Sequence, residues 1–83
     1  MSVPVVQLYG RPGCHLCDDA RAVVAEVRAR RPFDLVEVDV SLDPVLNARY
    51  GERIPVVTID GEEAFELGFS APELERALDT VTA

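Results

Sequence analysis

Val5-Val6-Gln7-Leu8-Tyr9-Gly10-Arg11-Pro12-Gly13-Cys14-His15-Leu16-Cys17 is the stretch on which the fold turns. An apolar run from Val3 to Tyr9, interrupted only by Pro4 and Gln7, reads as a buried strand over Val5–Tyr9. Gly10-Arg11-Pro12-Gly13 is a turn, because glycine and proline punctuate chain direction. Helical periodicity begins directly after it, with apolar residues at 16, 20, 23, 24 and 27. Strand, turn and a C-x-x-C opening a helix is the arrangement that makes a reactive dithiol.

The chemistry explains the spacing. The thiolate is the nucleophile, so the first cysteine needs a lowered pKa. A helix N-terminus lowers it, since unpaired backbone N–H groups and the helix dipole favour negative charge there. Cys14 is therefore expected to attack, and Cys17 to resolve the mixed disulfide that forms on it. Three plainer readings stand beside this one. Half of a zinc site lacks ligands, because only His15 remains and it sits between the two cysteines. A structural disulfide would close only the short Cys14–Cys17 loop, unlike the frameworks of secreted domains. Two buried inert thiols would leave the Gly-Arg-Pro-Gly turn without a purpose. His15, the one histidine, would stabilise the Cys14 thiolate as an imidazolium and make the disulfide more oxidising, or would simply be exposed at a helix end. Asp18 and Asp19 would act against the thiolate, although acidic residues also suit a first helical turn.

The 83 residues suffice for a single domain spanning 1–83, and a hydrophobic content of 48% fits an ordered core. No apolar run approaches the roughly 18 residues of a membrane span. The start carries no basic region followed by an apolar stretch, so no secretory signal is read. Two cysteines in a dithiol motif then point to the cytoplasm, where disulfides are usually transient and catalytic. Fifteen acidic against eight basic residues give a net charge of −7, which argues against a nucleic-acid partner. The cluster Arg28-Ala29-Arg30-Arg31 suits the negative end of the first helix, and Pro32 stops that helix.

The remaining elements follow in order. Phe33–Val40 reads as a second strand, with Phe33, Leu35, Val38 and Val40 set against Asp34, Glu37 and Asp39. Asp43 caps a short helix with Pro44 at its first position, running to about Tyr50 and ended by Gly51. Val56–Ile59 is a β-branched strand, Asp60-Gly61 a hairpin turn, and Ala64–Leu67 the returning strand. Gly68-Phe69 turns the chain. Ser70-Ala71-Pro72-Glu73 is a capping box, and Leu74, Ala77, Leu78 and Val81 form the apolar face of a last helix. The order β-α-β-α-β-β-α is an α/β fold: a four-stranded mixed sheet with helices on both faces.

Three segments resemble the thioredoxin-like superfamily, and within it the small glutaredoxins. Tyr9 to Cys17 is similar to the segment Tyr-Thr-Lys-x-x-Cys-Pro-Tyr-Cys, with the aromatic and basic residues at the same offsets. Arg53-Ile54-Pro55-Val56-Val57 resembles the segment that carries the superfamily's cis-proline. Gly68-Phe69-Ser70 stands where glutaredoxins keep a Gly-Gly turn. The resemblance implies a thioredoxin-like fold and a cis Pro55 facing the dithiol, with the Ile54 backbone open to an extended peptide or glutathione. It further implies a substrate or glutathione site formed by Arg11, Arg53, Ile54, Pro55, Gly68, Phe69 and Ser70. The chain departs from the pattern at His15 and Leu16, and in reducing Gly-Gly-x-Asp to Gly68-Phe69-Ser70. Dithiol exchange is thus better supported than glutathione specificity.

The expected function is a glutaredoxin-like thiol–disulfide oxidoreductase reducing protein or glutathione mixed disulfides. It would have no tightly bound cofactor and no metal, with glutathione as co-substrate or a flavoprotein reductase as electron source. A monomer is expected, with neither membrane nor nucleic-acid partners. Two alternatives remain open. The pair could ligate an iron–sulfur cluster or metal across a dimer, or the domain could be a redox-inactive adaptor.

Overall fold

A computed structural model describes residues 3–82; Met1, Ser2 and Ala83, part of the expected single domain, lie outside the described residues. The β-branched and apolar stretches become β1 (Val5–Gly10), β2 (Asp34–Asp39), β3 (Val56–Ile59) and β4 (Glu62–Glu66). The periodic ones become α1 (His15–Arg30), α2 (Pro44–Tyr50) and α3 (Ala71–Thr82), and a 3₁₀ turn over Val40–Leu42 leads into α2. The sheet order is β2-β1-β3-β4, with β1 parallel to β2 and the other two pairings antiparallel. This is the expected mixed four-stranded sheet in the expected order. No helix among the described residues is long and apolar enough to cross a membrane.

Successive strand residues point to opposite sheet faces, so β1 and β3 each feed two cores. Val6, Leu8, Val57 and Ile59 pack with Ala20, Val24 and Val27 of α1 and with Leu74 and Leu78 of α3. Val56 belongs instead to a smaller cluster with Cys17, Val40, Tyr50 and Ile54, against which Tyr9, Cys14 and Leu46 pack. The cysteines thus sit in the small core beneath α2. Gln7, which interrupts the apolar run of β1, has a role on this face: its Oε1 accepts from Tyr9 Oη at 3.0 Å and from Thr58 Oγ1 at 3.1 Å. Thr58 is buried and hydrogen-bonded, as a buried hydroxyl must be.

Several caps read from sequence are present. Asp43 accepts from the N–H groups of Val45 and Leu46, with Pro44 opening α2. Ser70 Oγ accepts from Glu73 N–H at 3.3 Å while Glu73 Oε1 accepts from Ser70 N–H at 3.0 Å, a closed capping box. Asp60 (φ 51) and Gly61 (φ 89) both lie in the left-handed region that a tight hairpin demands. Asp60 also ties down the chain's start, accepting from Val5 N–H and donating its own N–H to Val5 O.

Other expectations change. Leu16 is 48% exposed and Cys17 takes its place, so the buried stripe of α1 is Cys17, Ala20, Val24 and Val27. The second strand has no single apolar face. Phe33 and Leu35 join the large core and Val40 the small one, while Val36 is exposed because β2 is an edge strand. The returning strand begins at Glu62 rather than Ala64, with a bulge opposite the Val57–Thr58 step. Val81 is exposed, since the apolar stripe of α3 meets the core through Leu74 and Leu78, with Ala71 and Ala77 packed against it, and does not extend to the last turn. The Arg28–Arg31 cluster does more than meet a helix dipole. Arg28 Nε donates to Phe33 O, Arg30 pairs with Glu75 at 3.0 Å and Arg31 with Asp79 at 2.6 Å, which ties α1 to α3.

Gly10 is required for a reason other than turning. A Cβ there would stand 2.9 Å from Cys17 Sγ, closer than real Cβ atoms come. Gly10→Ala is expected to destabilise the fold by about 1–3 kcal/mol through overpacking; an unchanged urea midpoint would show that Cys17 has room to move. Ser70→Ala opens the capping box and is expected to cost about 1 kcal/mol, measured by the same titration.

Candidate active site

Gly13, at φ +80, turns the chain so that Cys14 becomes the N-cap of α1, with extended backbone angles of −95° and 114°. An N-cap side chain accepts an orphan N–H of the first helical turn. Here the acceptor is sulfur: Cys17 N–H donates to Cys14 Sγ at 3.3 Å. Cys14 is half-buried and Cys17 fully buried, both as free thiols.

Their environments push the two thiols apart. Cys14 is held below the ordinary cysteine range, first by a hydrogen bond from the Cys17 thiol. Burial opposes this, and the backbone N–H groups of Cys17 and Leu16 and the charge of Arg11 each add a lesser lowering. Cys17 is raised, first by burial and then by its bond to Cys14; a backbone hydrogen bond from Arg11 and the charge of Arg21 oppose this. A low-pKa, accessible sulfur beside a high-pKa, buried one is what an attacking and a resolving thiol require.

The other expected site residues fall into three groups. Ile54 lies with both cysteines in the small core, and the Ile54–Pro55 peptide is cis, as the resemblance implied. Leu67 N–H donates to Arg53 O and Pro55 O, whereas among the described residues the Ile54 backbone takes no hydrogen-bond partner. Arg11 is exposed beside Cys14, with Nη2 donating to Gly51 O at 3.4 Å. Arg53 is already committed. It pairs with Glu63 at 2.9 Å and Glu66 at 3.3 Å, donates to Arg49 O, and lies over the Tyr50 ring at 5.4 Å. Gly68 (φ 145) follows Leu67 beside the proline loop, but Phe69 stacks on Phe65 at 5.0 Å against the large core, and Ser70 is the cap of α3. His15 is exposed on the first turn, and the cationic side chain acting on Cys14 is that of Arg11. Asp18 is turned to Arg21, 2.6 Å away.

Two contributors went unread in the sequence. Gly10 looked like part of the turn, though it ends β1 against Cys17. Arg21, which no motif marks, stands four positions after Cys17, the spacing of neighbours on a helix face. Among the described residues no three His, Cys, Asp or Glu side chains are grouped as a metal site.

Comparison with known proteins bears on the family and the fold. The chain is 38% identical over 68 residues to an uncharacterised protein of Mycobacterium tuberculosis, covering 76% of this chain and 70% of that one. A structural-genomics target protein from X. campestris superposes with a TM-score of 0.79 at 36% identity, covering 90% of this chain and 96% of that chain. A thioredoxin from Halobacterium salinarum superposes with a TM-score of 0.75 at 21% identity, covering 99% of this chain and 77% of the other, which bears on the fold alone. The Glutaredoxin-like domain family model matches residues 5–79, so the chain, whose fold is thioredoxin-like, belongs to the Glutaredoxin-like domain family.

Proposed function

We propose that the protein is a dithiol–disulfide oxidoreductase in which Cys14 attacks and Cys17 resolves. The observation that carries this reading is the helix start that sets Cys14 Sγ 3.3 Å from the Cys17 N–H, with Cys14 half-buried and Cys17 fully buried; these surroundings lower Cys14 and raise Cys17. The Cys14 thiolate attacks a disulfide sulfur of the substrate and expels one thiolate. Cys17 then attacks the Cys14 sulfur, releasing the second product thiol and leaving a Cys14–Cys17 disulfide. Its reduction by glutathione or by a flavoprotein reductase closes the cycle. A cap that stabilises the thiolate also favours the reduced pair, which makes the disulfide more oxidising.

The substrates are protein or glutathione mixed disulfides. The unpartnered Ile54 backbone beside both cysteines favours an extended partner chain, which would pair with it as an added strand does. Arg11 suits a carboxylate of such a partner, since a guanidinium can grip one bidentately. Arg53 is not carried into this site, because Glu63 and Glu66 hold it. The protein would act as a monomer in the cytoplasm, where such disulfides are transient.

Cys17→Ser is expected to accumulate a mixed disulfide on Cys14, seen as added mass on the intact protein, and Cys14→Ser to abolish turnover. A Cys17→Ser protein that never accumulates an adduct would overturn the reading. Thiolate fraction rises as pH passes upward through a pKa, so a lowered Cys14 reaches full reactivity at lower pH than a free cysteine. Iodoacetamide labelling of Cys14 should therefore reach half its limiting rate at a lower pH than the roughly 8.5 at which an ordinary cysteine is half ionised. Cys17 should label only above it.

A further inference from the structure

A cavity of about 230 Å³ opens between β1, β2 and the start of α1, and its wall holds Cys17 together with Arg11, Arg21, Glu37 and Asp39. Arg21 stands one helical turn after Cys17. Helical side chains lean toward the N-terminus, so its guanidinium lies over the turn that carries the thiol. It is anchored twice there, with Nη1 on Asp18 at 2.6 Å and Nε on Glu37 at 2.7 Å. A surface ion pair of this kind adds little stability, yet this one places a fixed positive charge on the wall of a cavity that a buried sulfur shares.

We propose that Arg21 is a positioning residue for the second half of the exchange, its guanidinium stabilising Cys17 as a thiolate while the mixed disulfide on Cys14 is resolved. This rests on the dithiol reading above and deepens it. In that step the Cys17 sulfur bonds to the Cys14 sulfur, and the bond between Cys14 and the partner's sulfur breaks with its electron pair leaving on the partner. Over the two half-steps together, the two cysteines are oxidised to a disulfide and the partner's disulfide is reduced to two thiols, one released in each. The proton lost by Cys17 passes to solvent, and the departing thiolate takes one up from solvent.

The other titratable and charged groups around Cys17 do not supply this charge. Cys14 is bound in the mixed disulfide at that moment. Arg11 reaches the sulfur through its backbone, with its guanidinium directed to Gly51 O. From β2, Glu37 is paired with Arg21, and Asp39 accepts from Ser41 N–H and Oγ at 2.9 and 2.6 Å. Tyr9 and Tyr50 complete the cluster from β1 and α2, their rings tilted by 33° with centroids 4.5 Å apart. The Coulombic effect between Arg21 and Cys17, acting on both groups, agrees with the geometry.

The test separates the two half-steps. Reduced protein is mixed with dithiobis(nitrobenzoate) and release of the coloured thiolate is followed in stopped flow. The first equivalent reports attack by Cys14 and the second reports resolution by Cys17. In Arg21→Met the first phase should be unchanged, while the second slows about tenfold at neutral pH and its midpoint rises by about one pH unit. Arg21→Lys should recover most of the second phase. Glu37→Gln removes the ion pair but keeps the cation, and should leave the second phase without an upward shift. A second phase in Arg21→Met with the wild-type rate and midpoint would overturn the proposal. So would an upward shift in Glu37→Gln equal to that of Arg21→Met, since the pair would then act only structurally. A wild-type protein that releases no second equivalent would overturn both this proposal and the dithiol reading, whereas a two-phase wild type with an insensitive Arg21 would overturn the proposal alone.

Discussion

Everything at the proposed site depends on one hydrogen bond: the Cys17 N–H donated to Cys14 Sγ at the first turn of α1. A helix must satisfy the N–H groups of its first turn, and oxygen side chains usually do so. Sulfur in that position accepts the same bond best as a thiolate, so the helix start and the reactive anion stabilise each other. The same geometry sets the second cysteine one turn on and fully buried, and burial raises its pKa. The cap thus brings the two thiols together, and the hydrogen bond between them and the burial of Cys17 set them apart.

The surrounding fold holds that cap in register. β1 ends at Gly10, where the missing side chain leaves room for the Cys17 sulfur, and Gly13 supplies the left-handed residue that lets Cys14 turn into the helix. The large core beneath α1 and α3 fixes the helix from one side. The small core, with Tyr50, Val40, Val56 and Ile54, encloses the sulfur from the other. The arginines that end α1 tie it to α3. The dithiol therefore stands where two cores, a strand end and a helix start meet, and its surroundings are set by packing rather than by a mobile loop.

The sequence made much of this legible, for identifiable reasons. Strands β1 and β3 are dense in β-branched residues, and the Asp60-Gly61 hairpin and the Ser70–Glu73 capping box are local chemistry that tertiary structure had no cause to override. The C-x-x-C after a strand and turn located the site, and the cis Ile54–Pro55 bond was legible only through resemblance. Other features depend on three-dimensional neighbours. Leu16 fits the helical period as well as Cys17 does, and only the position of β1 decides which is buried. Val36 is exposed because β2 is an edge, which local pattern does not encode. Arg53 looked free until the β4 bulge brought Glu63 and Glu66 beneath it. Phe69 and Ser70 proved to serve the large core and the α3 cap. The spacing of Arg21 from Cys17 was visible, but its meaning needed the cavity that joins them.

The central claim is that Cys14 and Cys17 form a reversible dithiol, and equilibrating the protein against a graded series of glutathione redox buffers tests it most directly, with intact-mass measurement of each species. The expected result is one two-electron transition between the free dithiol and an intramolecular Cys14–Cys17 disulfide, at a potential within the range of about −270 to −120 mV spanned by related dithiol proteins. Thiols that remain unpaired throughout the series would contradict it.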